Sequence, residues 1–518
     1  MTLRIGIDVG GTHTDAVLLD GERVRTSVKA ATTADIESGV IDALQRLLAA
    51  DRFDAQNVRA VMIGTTQFTN AVVERRELTP SAIVRIALPT GRLVPPKVDW
   101  PGDLAAALGD HVFMIHGGRL YDGRPLAPAR DDEADAVIDA IAARELTCVA
   151  VASVFAPADA EPEHAFAERL QQRLPHVRVV RSCEFGRIGL LERENAALLN
   201  AALLPFADRV IDGFERALAA RGLDCPLYIS QNDGTLMDTA AARRFPALTF
   251  ASGPTNSLRG AGLLTGERHA VVVDIGGTTS DIGVLRDGFP RESNLGVAIA
   301  GVRTSFRMPD ILTLGIGGGS LVGAEGGRIG PRSVGHRLLQ TGRAFGGDTL
   351  TATDLAIAAG HLDLGDRHRL ADLPSATVRR GLATIAARID EAVDRMRSSR
   401  EPVTVILVGG GTALLSEPLS SAARTLRPEH AAVANAIGAA HAEVGAEAER
   451  IVPVAERAIA LDELERQARQ RVAAAGARKD LIRINDVDET AVSYMAVPTV
   501  RLRVKAVGPL DLEALAHG

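Results

Sequence analysis

The sequence predicts an α/β protein built from two related halves. Two observations carry that prediction. Short β-branched runs alternate with stretches of helical spacing along most of the chain, the pattern of strands covered by helices. One eight-residue block also occurs twice. Asp8-Val9-Gly10-Gly11-Thr12-His13-Thr14-Asp15 matches Asp274-Ile275-Gly276-Gly277-Thr278-Thr279-Ser280-Asp281 at five of eight positions, 266 residues away. Each copy follows an apolar strand and leads into a second strand that ends in Asp-Gly. So long a period indicates two halves rather than a solenoid.

The elements follow in order. Residues 3–9 form the first strand, and residues 16–19 and 23–28 the next two, with Asp20-Gly21 as the hairpin turn. Ile36, Val40, Ile41, Leu44, Leu47 and Leu48 lie at helical spacing, with Thr33 or Asp35 as N-cap. Residues 58–63 are a strand running into Gly64-Thr65-Thr66. The Pro- and Gly-rich segment 88–128 lacks periodicity and reads as an irregular insertion. Helices are expected at 134–143 and 163–173, strands at 148–155 and 178–181, and a long helix at 190–214 interrupted near Pro205. A strand at 227–230 enters the polar turn 231–234. The second half brings a strand at 270–274, a helix at 375–398, a buried strand at 403–408 and an Ala-rich helix at 431–447. An amphipathic helix at 461–475 and a strand pair at 487–507 close the chain.

Composition narrows the function classes. The chain has 518 residues, 46% hydrophobic and 24% charged, which excludes disorder, collagen and coiled coil. Lys plus Arg number 58 and Asp plus Glu 65, a net charge of −7. No basic run with interleaved aromatics appears, so no nucleic-acid partner is expected. Cys148, Cys183 and Cys225 are too sparse for a disulfide framework or a CxxC metal motif. They read as buried free thiols of a reducing compartment. No basic n-region with a long apolar stretch opens the sequence, and the longest apolar run, 148–158, is short of the ~20 residues of a membrane span. The protein therefore reads as soluble and cytoplasmic, without a membrane partner. Glycine is in excess, with 50 residues, and its entropic cost requires a reason.

The duplicated block supplies one. Paired glycines let backbone N–H groups and Thr hydroxyls approach an anion without an intervening Cβ. An Asp at the strand end would repel phosphate unless a cation lay between them. Asp8 and Asp274 are thus candidate Mg²⁺ ligands, directly or through water. One copy alone is equally a tight hairpin with an Asp cap; two matched copies favour phosphate held from two sides. A third loop, Leu407-Val408-Gly409-Gly410-Gly411-Thr412, follows a buried strand. Its small residues either let an adenosine lie against backbone or make a tight strand-to-helix turn.

These three loops, in this order, resemble the actin, heat-shock chaperone and sugar-kinase superfamily. The resemblance implies two ribonuclease-H-like (actin-like ATPase) lobes with ATP in the cleft between them. It implies a first phosphate loop with Gly10, Gly11, Thr12, His13 and Thr14, and a second with Gly276, Gly277, Thr278 and Thr279. Gly409, Gly410 and Gly411 become the adenosine loop. The implied division is a first lobe over 1–200, with an insertion near 88–128, and a second over 201–447. Helix 431–447 would return to the first lobe, and 448–518 would be a small α+β tail.

One branch matches further. Gly64-Thr65-Thr66-Gln67-Phe68-Thr69-Asn70, Gln231-Asn232-Asp233-Gly234-Thr235-Leu236-Met237 and Ala251-Ser252-Gly253-Pro254 are similar to the hydantoinase A/5-oxoprolinase family. So are Gly315-Ile316-Gly317-Gly318-Gly319-Ser320, Gly330-Pro331-Arg332-Ser333 and Thr351-Ala352-Thr353-Asp354. The matches are collinear from about residue 4 to 440. They imply ATP-dependent opening of a cyclic amide (a hydantoin, 5-oxoproline or a lactam) through phosphorylation of its carbonyl oxygen, with ATP and Mg²⁺ or another divalent metal. A B-type partner subunit and an oligomer are also implied. Alternatives are a subunit of an ATP-dependent ketone carboxylase or a small-molecule kinase of the same fold. Where the family usually has a Pro-Gly-Pro-Ala-Cys-Tyr-like stretch, this chain reads Val334-Gly335-His336-Arg337-Leu338-Leu339-Gln340. The family's longer members also continue beyond the position of Gly518.

Thr65, Thr66, Asn70, Asp310, Gly317 and Gly318 are the candidate substrate contacts. Thr65 and Thr66 serve equally as helix caps, and Asp310 equally as a strand start. His13 is either a phosphate contact or a polar turn residue. His111 and His116, five residues apart, are weak metal candidates whose spacing fits no strong motif. Glu192 and Glu194 are expected to pair on a helix surface with Arg193 and Arg187, and Asp354 to cap a helix.

Overall fold

The computed structural model describes residues 3–10, 13–31, 36–51, 53–185, 189–293, 297–492, 495 and 497–514. Arg187, Gly11, Thr12 and the N-cap candidates Thr33 and Asp35, named above, lie outside them. The first sheet grows from the meander Leu3–Val9, His13–Asp20 and Arg23–Ala31. Gly21, at φ +60°, makes the Asp-Gly turn. Leu3–Val9 also pairs in parallel with Val58–Thr65, which pairs in parallel with Leu227–Ser230. The spatial order is thus third, second, first, fourth, fifth strand.

The second sheet repeats that plan. Ala270–Ile275 pairs antiparallel with Ser280–Arg286 and parallel with Val403–Val408, which pairs in parallel with Ala422–Leu426. Ile311–Leu314 pairs antiparallel on the outer side of Ser280–Arg286. Order and directions match the first sheet, as expected of ribonuclease-H-like lobes. The duplicated block is the first hairpin of each. The central strands are covered on both faces, so Ile5, Ile7, Val61 and Ile63 in one lobe and Val271, Val273, Val405 and Leu407 in the other are buried.

Several boundaries differ from expectation. The division at residue 200 falls inside one unbroken helix, Leu190–Ala219. Pro205 does not interrupt it, because burial along most of its length outweighs one lost hydrogen bond. The helix expected at 431–447 stops at His441, and Glu443–Pro453 is a strand. Its Val444, Ala448 and Val452 alternate inward, and it pairs with Thr499–Gly508; that pairing overrides the helix propensity of alanine. The expected tail is part of the first sheet. Beyond Leu227–Ser230 come Thr235–Asp238, Glu443–Pro453, Thr499–Gly508 and Arg483–Val492.

Segment 88–128 is also more ordered than its Pro and Gly content suggests. It contributes helix Gly102–Ala107 and strand Val112–His116. The strand joins Ala82–Leu88, Cys148–Ser153 and Arg178–Arg181 in a separate, all-parallel sheet. Helices Asp131–Ala143 and Glu161–Arg173 complete this accessory unit, with its own core around Val84, Ile138, Val151 and Leu170. Glu194 is not a surface residue: it is 1% exposed and forms a two-pronged pair with Arg85, at 2.6 and 2.7 Å. Of the three free cysteines, Cys148 is buried and Cys183 and Cys225 are half-buried. Among the described residues, no helix is long and apolar enough to cross a membrane.

Two helices join the lobes. Ser252–Thr265 places Leu258 and Ala261 against the second sheet, on Val272, Ile406 and Val408. Ala434–His441 places Ala436, Ile437 and Ala440 against the first, on Val17 and Leu19. They cross at Gly260 and Gly438. A Cβ on Gly260 would stand 1.9 Å from the Ala434 carbonyl oxygen, and one on Gly438 1.9 Å from that of Asn256.

The second helix ends on a half-buried histidine. His441 Nδ1 accepts from Arg4 at 3.0 Å. Burial, then the Arg4 and Arg259 charges, push its imidazole down to about 3. Unfolded, the ring takes up a proton below about 6.5, whereas folded it resists until about 3. Stability is therefore lost as pH falls from about 6.5 toward 3, by at most roughly 1.4 kcal/mol per pH unit. Denaturant unfolding at pH 7 and pH 5 is expected to show that loss, and His441→Gln to reduce it.

Candidate functional site

The first hairpin sets Asp8 directly opposite Asp15, and the second sets Asp274 directly opposite Asp281. Like charges at facing positions are destabilising, so each hairpin gathers unfavourable negative charge at the same place. The turns close alike. Gly10 N–H donates to the His13 carbonyl at 3.0 Å, and Gly276 N–H to that of Thr279 at 2.9 Å. His13, Gly277 and Thr278 are exposed beside these turns, and Thr279 is half-buried, while Thr14 is buried.

The crossing helices supply the polar groups between the hairpins. Asn435 Nδ2 donates to Asp8 Oδ2 and Asp15 Oδ2, both at 3.0 Å. Lys29 Nζ lies 2.5 Å from Asp15 Oδ1. Asn256 lies beside Asp8, its amide without a hydrogen bond of ordinary geometry, and the next residue, Ser257, lies beside Asp274. One helix therefore borders both duplicated aspartates. Burial, then the Asp15 charge, with Asp274 adding, raises Asp8 to about 7 against the pull of Asn256 and Asn435. Burial and Asp15 raise Asp274 as well. Burial lifts Asp281 to about 6, opposed by Thr313 and reinforced by Asp274.

Glycine keeps space clear around both aspartates. A Cβ on Gly64 would stand 2.5 Å from Asp8 Oδ1, and one on Gly409 2.2 Å from Asp274 Oδ1. The third loop is tied to the second hairpin, since Gly411 N–H donates to the Ile275 carbonyl at 2.8 Å. Gly409 takes φ +87°, and Gly410 faces open space.

The other sequence candidates separate into groups. Thr65, Thr66 and Asn70 lie beside the first loop: Thr66 Oγ1 donates to the Val9 carbonyl at 3.2 Å, and Asn70 Nδ2 reaches Thr66 Oγ1 at 3.5 Å. Thr65 Oγ1 accepts from Gln67 N–H at the start of helix Gln67–Glu74. Gly317 and Gly318 back the second loop. Gly318 N–H donates to the Gly276 carbonyl at 3.0 Å, and a Cβ on Gly317 would stand 2.6 Å from the Thr278 nitrogen. Asp354 caps helix Ala352–Ala359 in a box with Thr351. Asp310 is a strand start paired with Arg291 at 2.6 Å. His116 bonds Glu133 at 2.8 Å in the accessory unit, and His111 faces Arg144. Among the described residues, no group of three or more His, Cys, Asp or Glu is placed to hold a metal ion directly, at the two histidines or at the duplicated aspartates.

The sequence reading passed over Asp15, Asp281, Asn256, Asn435 and Lys29. Asp15 and Asp281 close the duplicated block, and that identity was the available signal. Lys29 had none, since only the meander register brings it to Asp15.

Residues 4–174 match the model of the hydantoinase/oxoprolinase N-terminal region, and residues 193–396 that of hydantoinase/oxoprolinase itself. The chain belongs to the hydantoinase/oxoprolinase family. Among its relatives, caprolactamase subunit alpha of Pseudomonas jessenii is 26% identical over 400 residues, covering 69% of this chain and 54% of that one. Acetone carboxylase beta subunit of Xanthobacter autotrophicus is 25% identical over 402 residues, covering 69% and 54%. The family member described here thus spans about half the length of these curated relatives. The crystal structure of ATP-dependent caprolactamase from Pseudomonas jessenii superimposes with a TM-score of 0.80 at 20% identity, covering 98% of this chain and 88% of that one. Nucleotide-free acetone carboxylase gives 0.71 at 17% identity, with the same coverage. Both likenesses concern the fold.

Proposed function

We propose that this chain is the ATP-using component of an enzyme that opens a cyclic amide. The observation that carries the reading is the pair of facing-aspartate hairpins, each turned by glycine and joined by one helix through Asn256 and Ser257. The donor set suits a hard cation. Asp8 Oδ1 is buried and has no hydrogen bond of ordinary geometry, and the neighbouring carboxylates repel one another. A hydrated Mg²⁺ held through Asp8 and Asp274 fits the tendency of that ion to keep its waters and take one or two carboxylates. When bound, it would neutralise phosphate charge.

The chain's own groups do the rest. Backbone N–H groups of the Gly10 and Gly276 turns, with Thr278 and Thr279, hold phosphate oxygens from two sides. The Gly409, Gly410 and Gly411 loop receives the adenosine. Lys29 and Asn435 fix Asp15, so that the charge facing the phosphates is set before ATP arrives. An unstrained amide is a poor electrophile. Transfer of the γ-phosphoryl group to its carbonyl oxygen releases ADP and leaves a carbon that water attacks. The ring nitrogen then departs as the amine, and a second water releases phosphate. A partner subunit of the B type would handle the hydrolytic half.

A second reading, a ketone carboxylase component, is favoured by the acetone and acetophenone carboxylase relatives. Phosphate release over hydantoins, 5-oxoproline, lactams and ketones, with and without a B-type partner and bicarbonate, separates the two. The expected result is bicarbonate-independent stimulation by a cyclic amide, with a ring-opened acid as product. Stimulation by ketones that requires bicarbonate would transfer the assignment to the carboxylase.

A further inference from the structure

The duplicated hairpins are alike on two strands and differ on the third. In the first lobe the register sets Asp8 opposite Asp15, and Asp15 opposite Lys29. In the second it sets Asp274 opposite Asp281, and Asp281 opposite Thr313. Directly opposed residues of antiparallel strands project to the same face. Each lobe therefore carries a row of three side chains beside its glycine turn. Thr313 ends its row with a hydroxyl that donates to Asp281 Oδ1 at 2.6 Å. Lys29 ends the other row with a charge. Among the described residues, no other Lys or Arg forms an ion pair with any of the four aspartates.

Pairing with Asp15 does not use up that ammonium. Nζ lies 2.5 Å from Asp15 Oδ1, yet this oxygen has no hydrogen bond of ordinary geometry. Asp15 is held instead through Oδ2, which accepts from Asn435 at 3.0 Å. An ammonium carries three donors, so Lys29 keeps protons for another acceptor. It is also within reach of a ligand: the lysine side chain is 37% exposed, against 5% for Asp15.

The charge acts on both lobes. Burial, then Lys29, holds the exposed His13 imidazole below its ordinary value, opposed by Asp15. In the second lobe burial raises the Asp274 carboxyl, and Lys29 opposes that rise. Lys29 thus stands between the two blocks as a compact cation amid four carboxylates. Lysine suits phosphate in such a place, as a point charge that needs no fixed fork geometry.

We infer that Lys29 is a phosphate-binding residue of the nucleotide site: anchored on Asp15, its ammonium donates to an oxygen of the phosphate chain of ATP. The inference rests on the ATP-using reading above and gives the lobes unequal parts. The first grips phosphate with side-chain charge, and the second, with Thr313 in the matching place, with N–H and hydroxyl groups.

The test measures ATP binding to the full chain with Mg²⁺, by calorimetry, and the thermal midpoint without nucleotide. Lys29→Met is expected to weaken ATP binding about tenfold or more, the worth of one charge-assisted hydrogen bond. Lys29→Arg, which keeps the charge, should recover part of that loss. Lys29→Met also strips Asp15 of its counter-ion and can unsettle the fold. The deciding comparison is therefore Lys29→Met combined with Asp15→Asn against Asp15→Asn alone, where Lys29 has no carboxylate left to neutralise. The same loss of affinity there, at an unchanged thermal midpoint, is the expected result. Equal ATP affinity in those two variants overturns the inference, and so does a loss matched by a lower midpoint; ATP binding by wild type then keeps the reading above. If wild type binds no ATP, that reading falls first and takes this inference with it.

Discussion

Asp8→Asn is expected to lower ATP turnover by about a thousandfold while leaving the protein at least as stable as wild type. The two halves of that expectation come from the same geometry. Asp8 faces Asp15 across the hairpin, and burial with that neighbour raises its carboxyl to about 7. A charge kept in so unfavourable a place costs stability, and removing it relieves the cost. The loss is functional, because preorganised charge around a transferring phosphoryl group is worth about two to three powers of ten per contributing group. Asp274→Asn should behave alike, since its strand repeats the register. Between about pH 4 and pH 7 folded wild type binds more protons at Asp8 than the unfolded chain does. Its contribution to stability therefore falls as pH rises through that window, and Asp8→Asn should flatten this component. Turnover by Asp8→Asn at the wild-type rate would remove the phosphate-site assignment.

Much of this site was legible in the sequence because duplication is a sequence property. The two Asp-x-Gly-Gly-Thr blocks gave the hairpins, and their separation gave the lobes. What escaped reading depends on contacts between distant residues. Glu194 sits among helix-surface neighbours in sequence, yet its partner is Arg85 in the accessory sheet. Residues 443–453 continue an alanine-rich run, and only pairing with Thr499–Gly508 makes them a strand. Val112–His116 is a five-residue strand in Pro- and Gly-rich surroundings, where local composition argues against order. Asn256 and Asn435 belong to helices whose crossing, rather than whose sequence, brings them to Asp8. The glycine excess is explained in part by that crossing as well as by the loops.

Gly438→Ala is accordingly expected to destabilise the protein by about 3 kcal/mol or more, at the upper end of the cost of overpacking. The added Cβ would stand 1.9 Å from the Asn256 carbonyl oxygen and 2.7 Å from its carbon. Both are helix backbone atoms, so no side chain can turn away. Gly260→Ala meets the Ala434 carbonyl at the same distances, and should cost about as much. Gly102→Ala, with nothing within 4 Å of its Cβ position, is the control and should be neutral or up to about 1 kcal/mol stabilising. Denaturant midpoints check all three. The double variant at Gly260 and Gly438 should lose less than the sum of the singles, because one separation of the helices relieves both clashes. That separation moves Asn256 and Asn435 off Asp8, so ATP affinity should fall in whatever folded protein remains. Full nucleotide binding in a destabilised Gly438→Ala protein would mean that the crossing holds the lobes together without positioning the aspartates. Loss of both together ties the fit of two glycines to the charge arrangement at the phosphate site.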